Sequence, residues 1–148
     1  MLEIGRHRAR REPSRRAIAH DAERARGALA DLDRSARRGT AIDCDRIVIR
    51  AGIAALEGRS GDAIGLYRDA MRRWRAAGLI WDEALCAIDM ATVLGPAEPE
   101  VGAVVDGARE ILVRLGATPF VTRLDDLLAG GTDRPVSASP RVPTATPR

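Results

Sequence analysis

The sequence predicts an all-α protein, with about six helices stacked as antiparallel pairs in a short right-handed solenoid. Three observations carry this expectation. First, the segment 63–81 is echoed 38 residues later: Ala63, Tyr67, Ala70, Trp74, Ala77 and Gly78 correspond to Val101, Val105, Ala108, Leu112, Leu115 and Gly116. A period of that size, carried at helical spacing, belongs to helical repeat arrays. Second, hydrophobic residues make up 45% of the chain but aromatics only 3%, so the core must be built from Ala, Leu, Ile and Val. Alanine favours helices and lets them pack closely, whereas sheets favour aromatic and β-branched residues. Third, each apolar periodic stretch ends at a glycine or Gly-Pro stop.

Residues 1–13 read as a disordered basic segment, and the expected domain spans 14–129. Its first helix starts at Pro13-Ser14. Ile18, Ala22, Ala25, Leu29, Leu32 and Ala36 then form one narrow apolar stripe before Gly39. The second helix runs from about Asp43 to Glu57, before Gly58. The third follows the turn GRSGD, with Ser60 or Asp62 as its cap, and closes at Gly78. The fourth starts near Trp81 and stops at Gly95-Pro96. The fifth runs from about Glu98 to Gly116. Thr118-Pro119 reads as a cap and first-turn proline opening a sixth, short helix. Residues 130–148 form a Pro/Ser/Thr-rich tail that cannot build a core. The second and fourth helices also align, at an offset of 37: Ile47 with Ala84, Val48 with Leu85, Ala54 with Ala91, Gly58 with Gly95.

Charge is unevenly distributed. All 24 positive charges are arginines, and there is no Lys, Asn or Gln. Residues 1–38 hold 11 Arg against 6 acids, whereas 39–129 hold 10 Arg against 14 acids. The basicity therefore belongs to the ends and the body is mildly acidic. Arg6, Arg8, Arg10, Arg11, Arg15 and Arg16 carry the alternative function, electrostatic binding of nucleic acid or an acidic partner. No aromatic residue accompanies them and no helix-turn-helix follows, which weighs against nucleic acid.

Catalytic and metal chemistry find little footing. Cys44 and Cys86 lack CxxC or Cys/His spacing and sit beside acids, as structural thiols do. His7 and His20 share no helix face, and His20-Asp21 lacks the second histidine of a zinc helix. No cofactor, metal or catalytic residue is expected. Trp74 and Trp81 bracket Gly78 as a ligand-stacking box would, but Trp74 shares a stripe with Ile64, Tyr67 and Met71, which argues for core packing. No apolar run approaches the roughly 20 residues of a membrane span. The opening MLEIGRHRARREPSRR lacks a signal peptide's apolar segment, so the expected location is cytoplasmic.

Ala51, Ala54, Gly58, Ala63, Tyr67 and Ala70 fall at the intervals of a tetratricopeptide repeat, which this stretch resembles. The run WDEALCAIDMATVLGP with REILVRLGATPF looks, more narrowly, like the C-terminal repeats of bacterial signalling proteins. Those proteins join a class III adenylate/guanylate cyclase to an AAA/STAND-type ATPase, and the resemblance covers about 43–129. It implies a non-catalytic sensor or scaffold segment. Neither enzyme's own sequence is found in this stretch: there is no GxxxxGK(S/T) phosphate loop and no metal-binding aspartate context.

By the tetratricopeptide pattern, the first helix of each pair lines a partner groove. That places Asp45, Val48, Ile49, Gly52, Leu56, Asp82, Leu85, Asp89 and Val93 toward it. An apolar groove with three carboxylates suits a protein or peptide partner, specifically a basic or amphipathic helix. The competing occupant is the protein's own first helix. Two repeats fall short of the roughly three that usually stand alone. That suggests homodimerisation through an uncapped end, or descent from a longer parent. Trp74→Ala should cost about 3–5 kcal/mol, far more than any surface Arg→Ala. Equal melting temperatures for the two would remove Trp74 from the core.

Overall fold

A computed structural model describes residues 15–132. Within them lie six helices and no strand: α1 Arg15–Arg34, α2 Thr40–Leu56, α3 Ser60–Ala76, α4 Ile80–Leu94, α5 Pro99–Arg114 and α6 Thr118–Thr132. Each helix packs on its successor, and α4 also touches α2 and α6. None of the six is long and apolar enough to cross a membrane. The expected basic segment 1–13 and most of the tail lie outside the described residues.

The 38-residue echo reappears as burial. Ala63 and Val101, Tyr67 and Val105, Ala70 and Ala108, and Trp74 and Leu112 are all buried, pair by pair. The α2/α4 correspondence holds at Ala54 and Ala91, both buried. One continuous core joins α2 to α6 and includes Ala51, Tyr67, Ala84, Met90 and Leu124. Ala51, Ala54, Ala63, Ala70 and Ala84 have no exposed surface at all. A methyl group is the whole side chain at these crossings, so helix backbones approach closely there. Tyr67 and Trp74 fill the wider gaps between.

Three connections share one backbone design. At the ends of α2, α3 and α5, a near-helical residue (Glu57, Ala77, Leu115) is followed by a glycine with φ of +79°, +74° and +67° (Gly58, Gly78, Gly116). The glycine N–H donates to Ala55, Arg75 or Val113. The next N–H, of Arg59, Leu79 or Ala117, donates to Ala54, Trp74 or Leu112. These paired bonds are the Schellman closure, which satisfies helix-end carbonyls through a left-handed glycine. Arg59, Leu79 and Ala117 also accept the first bond of the following helix, from Ala63, Glu83 and Val121. One residue thus ends one helix and starts the next.

This geometry corrects three expectations. The N-cap of α3 is Arg59, with no side-chain cap bond, so neither Ser60 nor Asp62 fills that role. Asp62 instead meets the Arg59 guanidinium at 2.8 Å. Thr118 is likewise inside α6, because Ala117 already takes the cap position. Gly95 aligns with Gly58 in sequence but not in shape: at φ 84° and ψ 153° it is itself the C-cap of α4, its N–H donating to the Ala91 carbonyl. Pro96 has no N–H to complete a Schellman pair, so this connection takes another path.

Helix α1 stops at Arg34, short of the expected Gly39. Arg46 of α2, only 8% exposed, supplies the reason. Its guanidinium donates to the Leu32 carbonyl at 3.2 Å and to Asp33 and Asp43 at 2.9 and 2.8 Å. The Ser35 hydroxyl takes the same carbonyl at 2.7 Å. A cation at a helix C-terminus is favourable, and here it pins the end of α1 to the start of α2. At the far end of the sequence, α6 runs through Gly130 to Thr132.

Gly78→Ala should cost about 1–2 kcal/mol, because its φ is left-handed. Gly65→Ala, in mid-helix with open space at its Cβ position, should gain about 0.5–1 kcal/mol. Urea unfolding of the two variants checks the assignment; shifts of the same sign would contradict it.

Candidate functional site

Eight of the nine groove residues expected from sequence are half-buried: Val48, Ile49, Gly52 and Leu56 on α2, and Asp82, Leu85, Asp89 and Val93 on α4. Asp45 is exposed. α2 and α4 touch, which makes these residues candidates for a shared face. It is apolar through Val48, Ile49, Leu56, Leu85 and Val93, with carboxylates among them. Although Asp45 is exposed by surface area, desolvation by the protein around its carboxylate, and then the neighbouring Asp82 carboxylate, raise its pKa. That coupling places the α2 and α4 acids within electrostatic reach. Among the described residues, no arginine pairs with Asp45, Asp82 or Asp89. α4 itself contains no basic residue.

Tyr67 ties this face to the core. Its side chain is fully buried in α3, and its hydroxyl donates to Asp89 Oδ2 at 2.6 Å. A Cβ at Gly52 would lie 3.7 Å from the same hydroxyl oxygen. Tyr67 thus reaches through from behind, its oxygen near Gly52 on one side and Asp89 on the other. Burial, followed by the charge and hydrogen bond of Asp89, pushes the tyrosine pKa far up. The hydroxyl stays a neutral donor that orients Asp89.

Both cysteines are free and buried. Burial pushes up both thiols, that of Cys86 to about 12, which makes them poor nucleophiles at neutral pH. The two tryptophans separate: Trp74 is 4% exposed in the core, whereas Trp81 is 37% exposed and meets Phe120 edge-on, with ring centroids 5.0 Å apart. They do not form a box. His20 is exposed. His7 and four of the six N-terminal arginines lie outside the described residues, and the side chains of Arg15 and Arg16 are not described. Among the described residues, no group of three His, Cys, Asp or Glu is placed to hold a metal ion.

A second feature escaped the sequence reading. Between α3 and α5, over a floor from α4, opens a cleft of about 570 Å³. Met71, Ala87, Val104, Ala108 and Ile111 make it apolar, and Arg68, Arg72, Arg75 and Arg114 edge it. On its floor Glu83, 6% exposed, accepts from Arg75 Nε at 3.0 Å. The signal was present in the spacing, since Arg68, Arg72 and Arg75 recur at i, i+4 and i+7. It became a site only through the gap between α3 and α5, which helical periodicity does not encode.

No protein-family model, curated protein or solved structure matches this chain.

Asp89→Ala should leave the buried Tyr67 hydroxyl without its acceptor and cost about 1–3 kcal/mol. Asp89→Asn keeps an acceptor and should cost less. Denaturant midpoints test this, and equal midpoints for the two variants would contradict the role of the bond.

Proposed function

We propose that the chain is a non-catalytic protein–protein interaction module, in which α2/α3 and α4/α5 are tetratricopeptide-like pairs stacked in a short solenoid. Its α2/α4 face receives a basic or amphipathic helix. The observation that carries this reading is the half-buried apolar face on which Asp45, Asp82 and Asp89 have no basic partner among the described residues. Half-buried aliphatics offer area that a guest helix can bury at about 25 cal/mol per Å². Unpaired carboxylates select a cationic guest and steer its approach. The residue-by-residue match in burial between the pairs supports the repeat reading. The sequence resemblance to repeats of bacterial cyclase and ATPase signalling proteins supports placing such a module in signal transduction.

The outer faces of the two end helices bear on self-association. On α1, Arg24, Asp31 and Arg34 are exposed; on α6, Thr122, Arg123 and Asp126 are. Charged positions of this kind are depleted in the centres of stable interfaces, which weighs against burying these helices in a homodimer, one of the two outcomes expected from sequence. No structural observation favours the nucleic-acid reading, whose N-terminal arginines lie outside the described residues or have undescribed side chains.

A fluorescein-labelled amphipathic Arg/Leu helical peptide should bind the protein at low salt. Asp45→Asn with Asp82→Asn should weaken that binding about tenfold, a loss of about 1.4 kcal/mol. Fluorescence anisotropy reads the change. Equal affinity of the wild type and the double variant would contradict the reading.

A further inference from the structure

We propose that the α3/α5 cleft is a second docking site, separate from the α2/α4 face, and that its occupant is a short acidic amphipathic helix of a partner protein. Shape comes first. The cleft has helices for walls and helix α4 for a floor, and along α5 it runs from Ala103 to Arg114. At 1.5 Å per residue that is about 16 Å, the length of a three-turn helix. Its volume of about 570 Å³ accommodates several aliphatic side chains but not a folded domain. The wall on α5 is low: a Cβ at Gly107 would meet nothing within 4 Å, so a guest backbone can come close there.

Charge supplies the second argument. Four guanidinium groups edge the cleft against two carboxylates, Glu83 and Glu110. Glu83 is already held by Arg75. Arg68 and Arg72 pair with Glu100 and Asp69, at exposed positions. Exposed ion pairs contribute at most about 1 kcal/mol, so a guest carboxylate can take over these arginines. Arg114 has no ion-pair partner among the described residues. A helix with leucines facing Met71, Val104 and Ile111, and glutamates facing Arg72 and Arg114, satisfies both the floor and the rim. This is the inverse of the guest suited to the acidic α2/α4 face.

The probe is a fluorescein-labelled helical peptide of Leu, Ala and Glu, about three turns long, read by fluorescence anisotropy at low salt. Gly107→Leu places a side chain at the cleft from a position whose Cβ meets nothing within 4 Å. It also replaces a mid-helix glycine by a good helix former, so its melting temperature should equal or exceed that of the wild type. It should weaken peptide binding at least tenfold, and Arg72→Glu with Arg114→Glu should do the same. Asp45→Asn with Asp82→Asn should leave this binding unchanged, which separates the cleft from the α2/α4 face. Absence of binding, or binding insensitive to Gly107→Leu, overturns the proposal. Equal binding of a Lys/Leu peptide overturns it too, as does self-association of the free protein that Gly107→Leu abolishes, which would make the occupant a second copy.

Discussion

The close approach of helices over fully buried alanines is the constraint on which the rest of this structure depends. Ala51, Ala54, Ala63, Ala70 and Ala84 leave only a methyl group to hold neighbouring backbones apart. Packing at interior density rewards that approach with many weak contacts, and three-residue turns make it possible. The left-handed glycines at 58, 78 and 116 fold each helix back at once. With helices so near, few large side chains are needed. Tyr67 spans from α3 to Asp89 of α4, passing Gly52 of α2, and Trp74 fills the core beside it.

The same tight framework sorts charge onto different helices. α4 carries Asp82, Glu83 and Asp89 and no base, while α3 carries four arginines against two aspartates. Glu83 turns inward to Arg75, leaving Asp82 and Asp89 with Asp45 on the α2/α4 face. The arginines of α3 edge the cleft toward α5. On the proposed function, such sorting distinguishes the two guests, because like-charge juxtaposition rejects the wrong one.

The helices and their buried stripes were legible in the sequence because both follow from local spacing. Ala63, Tyr67, Ala70 and Trp74 repeat at intervals that one helix face dictates, and their echo is buried in the same register. Eight of the nine positions expected to line a groove lie half-buried, as one helix face beside a core stripe would. Features set by tertiary contact were not legible. Arg46 ends α1 from another helix, and a charged residue in mid-helix gives no hint that it will cap a neighbour. Arg59 displaced Ser60 as the start of α3 because the preceding glycine turn already supplied the required bonds. Gly95 departed from Gly58 because the next residue lacks an N–H. The cleft depends on the separation of α3 from α5, which no single helix specifies.

Two alanines of one helix separate close helix approach at buried positions from a mere excess of alanine. Ala70 and Ala76 both lie in α3, the first without exposed surface and the second exposed. Overpacking a tight core costs about 1–3 kcal/mol, whereas surface changes stay within about 0.5 kcal/mol. Urea unfolding of Ala70→Leu should therefore show a loss of that size, and Ala76→Leu almost none. Equal midpoints for the two variants would contradict close packing at Ala70 and, with it, the arrangement that creates both faces.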